Sequence, residues 1–573
     1  MEHAPVRRLG TREQDLLVNK GRNPQAQRFQ PPRRSSARDQ DVVSSEPSSS
    51  KPKVVNPLSD EFDISARSVS TKELPKAFTS PPLMDGLLTS VLDVLGPDAR
   101  PTPIQALSLK HLVNEHDPSR CYEHLLASET GSGKSIAYLL PMLQDLKQSE
   151  LNNTQRTDPN APRRAINPRA IVLAPTHELT RQLSGFAKEL LHHSKLRVLC
   201  ASRANTASRK NVSASKMADM LVEGEEGELE LSSEFMRSPD QTHAVDIMVG
   251  TPAKVLELVH GRGWDHDAEE STDKRGRRKV TVGEPQMGLG SVEWVVVDEA
   301  DVLFDPDFQE ATRSILAGIS AARGHPVPFD PDLDLAAKDQ PTPIKYPFNF
   351  IITSATIPSS LAVYLDKFHP SLTRLASPHL HRLPPALKTE NFSWTGGNRD
   401  ADIEHRLRRV WYEDMQQTGT KSKVLVFCNK GTRVENLGAY LREKGIANVA
   451  LTRAGDARKR GSNHHLDGFL RVREASPSPP PVPVTGAGSM DDLKEVPHVM
   501  ITTSLLSRGL DFSPEVKYVF IVDEPRNMVD FLHRAGRSGR AGESGKVVVF
   551  GKSKGRGSEK ARVVRKKVGA LAA

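Results

Sequence analysis

The sequence predicts an α/β protein of two tandem domains, each a parallel sheet flanked by helices, with disordered termini and insertions. Three observations carry this prediction. Short β-branched runs end in small or polar residues, as buried strands do. Amphipathic stretches such as HELTRQLSGFAKELLHH lie between them, and the alternation occurs twice, before about residue 375 and again after about 400. A chain of 573 residues also exceeds what one hydrophobic core usually serves.

Residues 1–65 come first and show no apolar periodicity. They contain PPRRSSARDQ and SSEPSSSKPK, which cannot bury enough apolar surface to offset their ordering entropy. Nine Lys/Arg stand against four acids in the first 40 residues, without the apolar region of a secretory signal. This fits a mitochondrial targeting segment or a solvated basic tail equally well. Domain 1 spans 66–375, with strands expected in AIVLAP (170–175), VDIMVG (245–250), WVVVDEA (294–300) and NFIITSA (349–355). A Pro-rich linker takes 376–400. Domain 2 spans 401–552, with strands in KVLVFCN (423–429), NVALTRAG (448–455), HVMITTS (498–504), KYVFIVDEP (517–525) and KVVVFGK (546–552). Residues 553–573 form a basic tail: GKSKGRGSEKARVVRKK, which starts two residues before it at 551, holds eight Lys/Arg against one acid, as an arm on RNA phosphate or a solvated end would. Four insertions, near 224–230, 261–279, 323–345 and 475–489, read as solvated surface loops.

Composition narrows the function classes. Lys and Arg exceed Asp and Glu by 79 − 71 = 8, a mild excess that favours an anionic partner. The three cysteines, Cys121, Cys200 and Cys428, lie far apart, which excludes a disulfide framework and zinc-ligand spacing. No apolar window approaches the length of a membrane span.

Three motifs carry chemistry. In SETGSGKS (Ser128, Glu129, Thr130, Gly131, Ser132, Gly133, Lys134, Ser135) the glycines let backbone N–H groups turn inward around phosphate oxygens. Lys134 supplies a point charge for the β/γ-phosphates, and the Ser135 hydroxyl is a Mg2+ ligand. The strand-like HLLA precedes and the helical SIAYLLPMLQDL follows, which places the anion at a helix N-terminus. Ser128 stands where the strict motif has Gly, and a Gly-Ser-rich turn remains the competing reading of the loop alone. The acids of VVVDEAD lie 298 − 134 = 164 residues further on. Asp298 would hold Mg2+ through water, and Glu299 would orient and deprotonate the attacking water; an acidic turn is the alternative. HRAGRSGR (533–540) offers Arg534, Arg537 and Arg540, whose guanidinium groups suit a γ-phosphate in its transition state or a basic surface loop. Loop and acids on one half and arginines on the other suggest catalysis only when the halves close.

These residues together resemble the DEAD-box RNA helicases of superfamily two, over about 70–550 and in family order. RPTPIQ (100–105) resembles the adenine-reading motif, with Gln105 at the base edge. APTHELTRQ (174–182) and VGTPAKV (249–255) resemble RNA-backbone motifs, TSAT (353–356) the motif linking hydrolysis to strand separation, and VFCN (426–429) the start of the second domain. ITTSLLSRGLDF (501–512) resembles the fifth motif, with Asp511 on the ribose. The resemblance implies two RecA-like domains that clamp ATP and single-stranded RNA, with Mg2+ at Ser135 and Asp298. It implies catalysis by Lys134, Asp298, Glu299, Arg537 and Arg540, and coupling through Ser354, Thr356 and His533. RNA contacts fall on Pro175, Thr176, Thr251, Lys254 and Thr503, mainly to phosphate and 2′-OH.

The chain departs from the family pattern in several places. GPDARPTPIQ has Pro97 and lacks the usual aromatic, which leaves Phe78 as a distant candidate for stacking on the base. His177 and Lys254 replace arginines, Ser504 replaces an aspartate, and Lys459 and Ser462 stand for the second-domain Gln and Arg. Within the family, the spellings SETGSGKS and VVDEADVLF and the basic N-terminus resemble the fungal mitochondrial members that assist large-ribosomal-subunit assembly. That resemblance implies a monomer in the mitochondrial matrix acting on structured ribosomal RNA beside assembly proteins; nucleus, nucleolus and cytoplasm are the other locations. An ATP-gated RNA clamp with little unwinding and a DNA-acting helicase are the competing functions.

Overall fold

The β-branched runs become strands buried on both faces, as all-parallel sheets require. The computed structural model describes residues 74–552, except 115–116, 118–119, 153–165, 203–244, 262–283, 331–341, 385, 453–462, 464–465, 467, 472–496 and 540–542, and further on 559, 562–564 and 566–568. The expectations for 1–65, for most of the four insertions, and for Lys459, Ser462 and Arg540 lie outside the described residues.

The first sheet contains β1 (Glu123–Ala127), β2 (Ala170–Leu173), β3 (Val198–Ala201), β4 (Ile247–Gly250), β5 (Trp294–Val297), β6 (Asn349–Ser354) and β7 (Thr373–Ala376), in the order β3-β4-β2-β5-β6-β1-β7. Side chains alternate across it. Ile171, Val295 and Ile352 enter one core, whereas Val172, Val296 and Ile351 enter the core on the opposite face. The second sheet contains β8 (Leu387–Ser393), β9 (Lys423–Cys428), β10 (Asn448–Ala450), β11 (Val499–Thr503), β12 (Val516–Ile521) and β13 (Gly545–Gly551), in the order β10-β11-β9-β12-β13-β8. Leu425 and Val519 face one of its cores, and Val426 and Phe520 the other. Both sheets lie within one compact unit of the chain.

Strand order fixes where the chemistry gathers. β6 is hydrogen-bonded to β1 on one side and β5 on the other, so three carboxyl ends lie together: β1 runs into Ser128, β5 into Asp298 and β6 into Ser354. Ligands of open α/β sheets bind at such ends. The junction is tied further by the Ser128 amide, which donates to Ser354 O at 3.1 Å, and by the Asp298 amide, which donates to Leu173 O at 2.9 Å.

Three strands differ from the sequence expectation. β3 (VLCA) and β7 (TRLA) each carry a single β-branched residue, too few to stand out as a strand run. β8 is polar and sits at an edge, yet it pairs parallel with β13 along seven residues. It occupies part of the stretch expected to be linker, so the connection between the sheets is residues 377–386. Phe78 is also corrected: it is 2% exposed within a core of the first sheet, so it is not available to stack on a base.

Candidate active site

The phosphate loop is shaped by two glycines and held from behind. Gly131 and Gly133 have φ of +80° and +83°, a region that side chains rarely adopt. A Cβ on Gly133 would also lie 2.2 Å from Gln105 Nε2. Gln105 donates from Nε2 to Gly133 O at 3.2 Å and accepts the Thr102 amide on Oε1 at 2.9 Å, so its amide is engaged at both ends. Thr102 completes a capping box on helix Pro103–Ser108 and donates its hydroxyl to Ser132 O at 2.7 Å. Helix Lys134–Leu151 begins where the loop ends, with Ser135 in its first turn. Lys134 donates to Ser128 O and Glu129 O, each at 2.9 Å. Burial lowers its pKa, opposed by the negative charges of Glu299 and Asp298.

The acids follow β5 directly. Asp298 accepts from Tyr138 Oη at 3.2 Å and from the Glu299 amide at 2.9 Å. Burial and the neighbouring Glu299 push the Asp298 carboxyl up to about 7, with Lys134 pulling the other way. Glu299 adopts φ +53°, a conformation found for only one other non-glycine residue among those described. Strain of this kind persists at functional sites. Its buried Oε2 accepts no hydrogen bond and lies 3.8 Å from His533 Nδ1, which is likewise unbonded, and 4.0 Å from Arg508 Nη1.

Asp301 joins the two sheets. It accepts from Ser354 Oγ at 3.0 Å and Thr356 Oγ1 at 3.1 Å on its own side. From the second sheet it meets His533 Nε2 at 3.0 Å and forms an ion pair with Arg508. Burial works against the charge, yet Arg508 and His533 hold the Asp301 carboxyl well below the usual carboxylate range. His533 lies on helix Met528–Ala535, and Gly536 just beyond accepts from Thr130 Oγ1 at 3.2 Å. Arg537 is 2% exposed, donating to His533 O at 2.8 Å and Leu510 O at 3.1 Å. Arg534 instead stays within its own domain, bonded to Asp530, Ser504 and Asn429.

The expected RNA residues form a second group, at the ends of β2, β4 and β11. Pro175 and Thr176 follow β2, and Thr176 caps helix His177–Leu190 by accepting from the Leu179 amide. Thr251 precedes helix Pro252–His260, while Lys254 is 5% exposed and paired with Glu257 at 2.9 Å. Thr503 ends β11. The Asp511 amide donates to Gln182 Oε1 at 3.0 Å, another contact between the sheets. Thr102, Tyr138, Asp301 and Arg508 carry no signal in the sequence alone that marks them as functional. Asp301 and Arg508 stand inside motifs already quoted, but their partners lie in the other domain.

The DEAD/DEAH box helicase family model matches residues 102–363, and the helicase conserved C-terminal domain model matches residues 488–542. The mitochondrial ATP-dependent RNA helicase MRH4 of Cryptococcus neoformans is 33% identical over 517 residues, covering 84% of both chains. The chain belongs to the DEAD-box ATP-dependent RNA helicases. The helicase is thus of an ATP-hydrolysing enzyme class. Its Saccharomyces cerevisiae relative, also named MRH4 and mitochondrial, is 26% identical over 496 residues, 81% of this chain and 75% of that one. Both names place the helicase in the mitochondrion. Two solved structures share the fold. Dbp5 of S. cerevisiae bound to RNA and ADP BeF3 has a TM-score of 0.51 at 19% identity, covering 87% of this chain and 94% of that chain. Mss116p bound to ssRNA and AMP-PNP has a TM-score of 0.55 at 15% identity, covering 84% of this chain and 76% of that chain. No helix of the described residues is long and apolar enough to cross a membrane.

Proposed function

We propose that this helicase couples Mg-ATP hydrolysis to local unwinding of RNA or remodelling of ribonucleoprotein, in assembly of the mitochondrial large ribosomal subunit. The observation that carries the reading is the meeting of Glu299 and Asp301 with Arg508 and His533 across the two sheets. Acids at the end of one sheet, met by a guanidinium and an imidazole from the other, make a site that exists only in the closed arrangement.

In this reading the loop Ser128–Ser135 wraps the phosphates of ATP, with Lys134 on the β/γ-phosphates, Gln105 at the adenine and Asp511 at the ribose. Mg2+ fits the donor set: two adjoining buried carboxylates keep Asp298 near 7, and a divalent cation beside Asp298 and Ser135 would favour the ionised form. It would offset phosphate charge there. Glu299 takes the proton of the attacking water, and Arg537 and Arg540 stabilise the transferred phosphoryl charge. Asp301 and Thr356 relay closure through Ser354 and His533. Pro175, Thr176, Thr251, Lys254 and Thr503 hold the RNA backbone, Lys254 after leaving Glu257.

A second reading, an ATP-gated RNA clamp with little unwinding, is favoured by contacts away from the phosphate loop. Asn463 meets Arg181 at 3.1 Å and Glu178 O at 3.1 Å, and these would prolong closure. Steady-state ATPase with RNA, DNA or neither, for wild type and Glu299→Gln, tests both. RNA alone is expected to stimulate wild type, and Glu299→Gln to lose about 100-fold or more in turnover while retaining RNA in ATP. Equal rates in all conditions would sink the enzyme reading, and ATP-dependent retention without release by wild type would favour the clamp.

A further inference from the structure

The connection between the sheets is more than a tether. Leu380 packs on a core of the first sheet, whereas Leu383 is buried in a core of the second. His381 lies between them, at the step from one core to the other. Its φ is +61°, shared among non-glycine residues only with Glu299 in the described chain. Such backbone strain is kept where the surroundings over-determine it, and here the two flanking leucines do so.

The strained residue holds a buried amide. His381 Nε2 accepts the Ile357 amide at 3.0 Å. Ile357 is fully buried, so without this acceptor its N–H would lack a partner inside the protein. Accepting at Nε2 makes the imidazole neutral with its proton on Nδ1. Ile357 follows Thr356, whose hydroxyl reaches Asp301 at 3.1 Å and His533 at 3.1 Å. His381 also lines a small cavity with Glu129, Thr130, Thr356, His533 and Gly536.

We infer that His381 is a positioning residue: by holding the Ile357 amide it sets Thr356 against Asp301 and His533, and it does so only while both sheets grip the connector. Withdrawal of Leu383 with the second domain would pull the ring off Ile357. The connector thereby makes ATP turnover conditional on closure. This inference rests on the RNA-stimulated ATPase reading above.

The test uses the full chain, a poly(U) RNA, and the variants His381→Gly, His381→Ala and His381→Gln. Glycine adopts the positive φ freely, so His381→Gly removes the acceptor while relieving the strain. Its RNA-stimulated kcat is expected to fall roughly tenfold, as loss of one buried hydrogen bond implies, with KM for ATP within about twofold. His381→Ala is expected to fall similarly, and His381→Gln, whose Oε1 offers an acceptor, to recover most of the rate. Melting temperatures read alongside separate this from misfolding. Wild-type kcat in His381→Gly, or no recovery in a folded His381→Gln, would overturn the inference alone. A wild-type enzyme that RNA does not stimulate would overturn both it and the functional reading.

Discussion

His533 Nε2 lies 3.0 Å from the Asp301 carboxylate although the two residues are 232 positions apart and belong to different sheets. Arg508 pairs with the same carboxylate oxygen, so one buried acid is shared by two groups from the opposite domain. Removing it leaves the buried Arg508 charge only the more distant Glu299, 4.0 Å away. Asp301→Ala is expected to destabilise the closed form by about 3–5 kcal/mol, the usual cost of breaking a buried pair from one side. Urea denaturation and RNA-stimulated ATPase would read this as a lowered midpoint and lost turnover. An unchanged midpoint would show that the link carries no energy.

The raised pKa of Asp298 gives a pH dependence of definite sign. Its value of about 7 lies above the ordinary carboxylate value of 3.8, so between these the folded chain holds a proton that the unfolded chain has released. The stability from this group is full below about pH 4 and is lost as the pH rises through 7. His533, whose pKa is lowered by burial and by Arg508, acts oppositely, losing its contribution as the pH falls below the ordinary imidazole value of 6.5. Comparison with Asp298→Asn isolates the first group. Without nucleotide or Mg2+, the stability of wild type relative to Asp298→Asn should fall with rising pH from 5 to 7, on the order of 1 kcal/mol per unit. A difference that rises or stays level would contradict this.

Gly536 is a site of close approach. Its φ of −69° suits any residue, but an added Cβ would lie 1.9 Å from Thr130 Oγ1 across the domain boundary. Gly536→Ala should therefore oppose closure by about 1–3 kcal/mol, a typical cost of overpacking. ATP turnover would drop about 5- to 100-fold, and adding Thr130→Ala should restore part of it. If the double variant is no better than the single one, the contact with Thr130 is not the cause.

Thr102 supports the phosphate loop without belonging to it. Thr102→Ala removes the helix cap and the bond to Ser132 O together. A cap is worth about 1 kcal/mol, so KM for ATP should rise about fivefold with kcat little changed. Thr102→Ser, which keeps the hydroxyl, should behave as wild type in the same kinetics.

Much of this was legible in the sequence because it is local. The strands at 170–173, 294–297 and 349–354 announce themselves by β-branched runs, and the phosphate loop by glycines placed before a helix. What escaped depends on tertiary context. β8 reads LKTENFS, whose polar residues suit an edge strand but resemble a linker. Phe78 sits among polar residues and prolines and looks available, yet the fold buries it. Arg534 resembles its neighbours in HRAGRSGR, although Asp530 four residues earlier on the same helix marks it as locally paired. The partners of Asp301 could not be read at all, since only the packing of two domains brings them together.

The connector between β7 and β8 spans only ten residues, 377–386. Even fully extended it reaches roughly 35 Å, so the two halves cannot drift far apart. Each domain therefore experiences the other at an effective concentration of the order of millimolar. Closure is an intramolecular event whose rate is independent of protein concentration, and a ligand shared by both halves needs only modest affinity for the second half to bring it in.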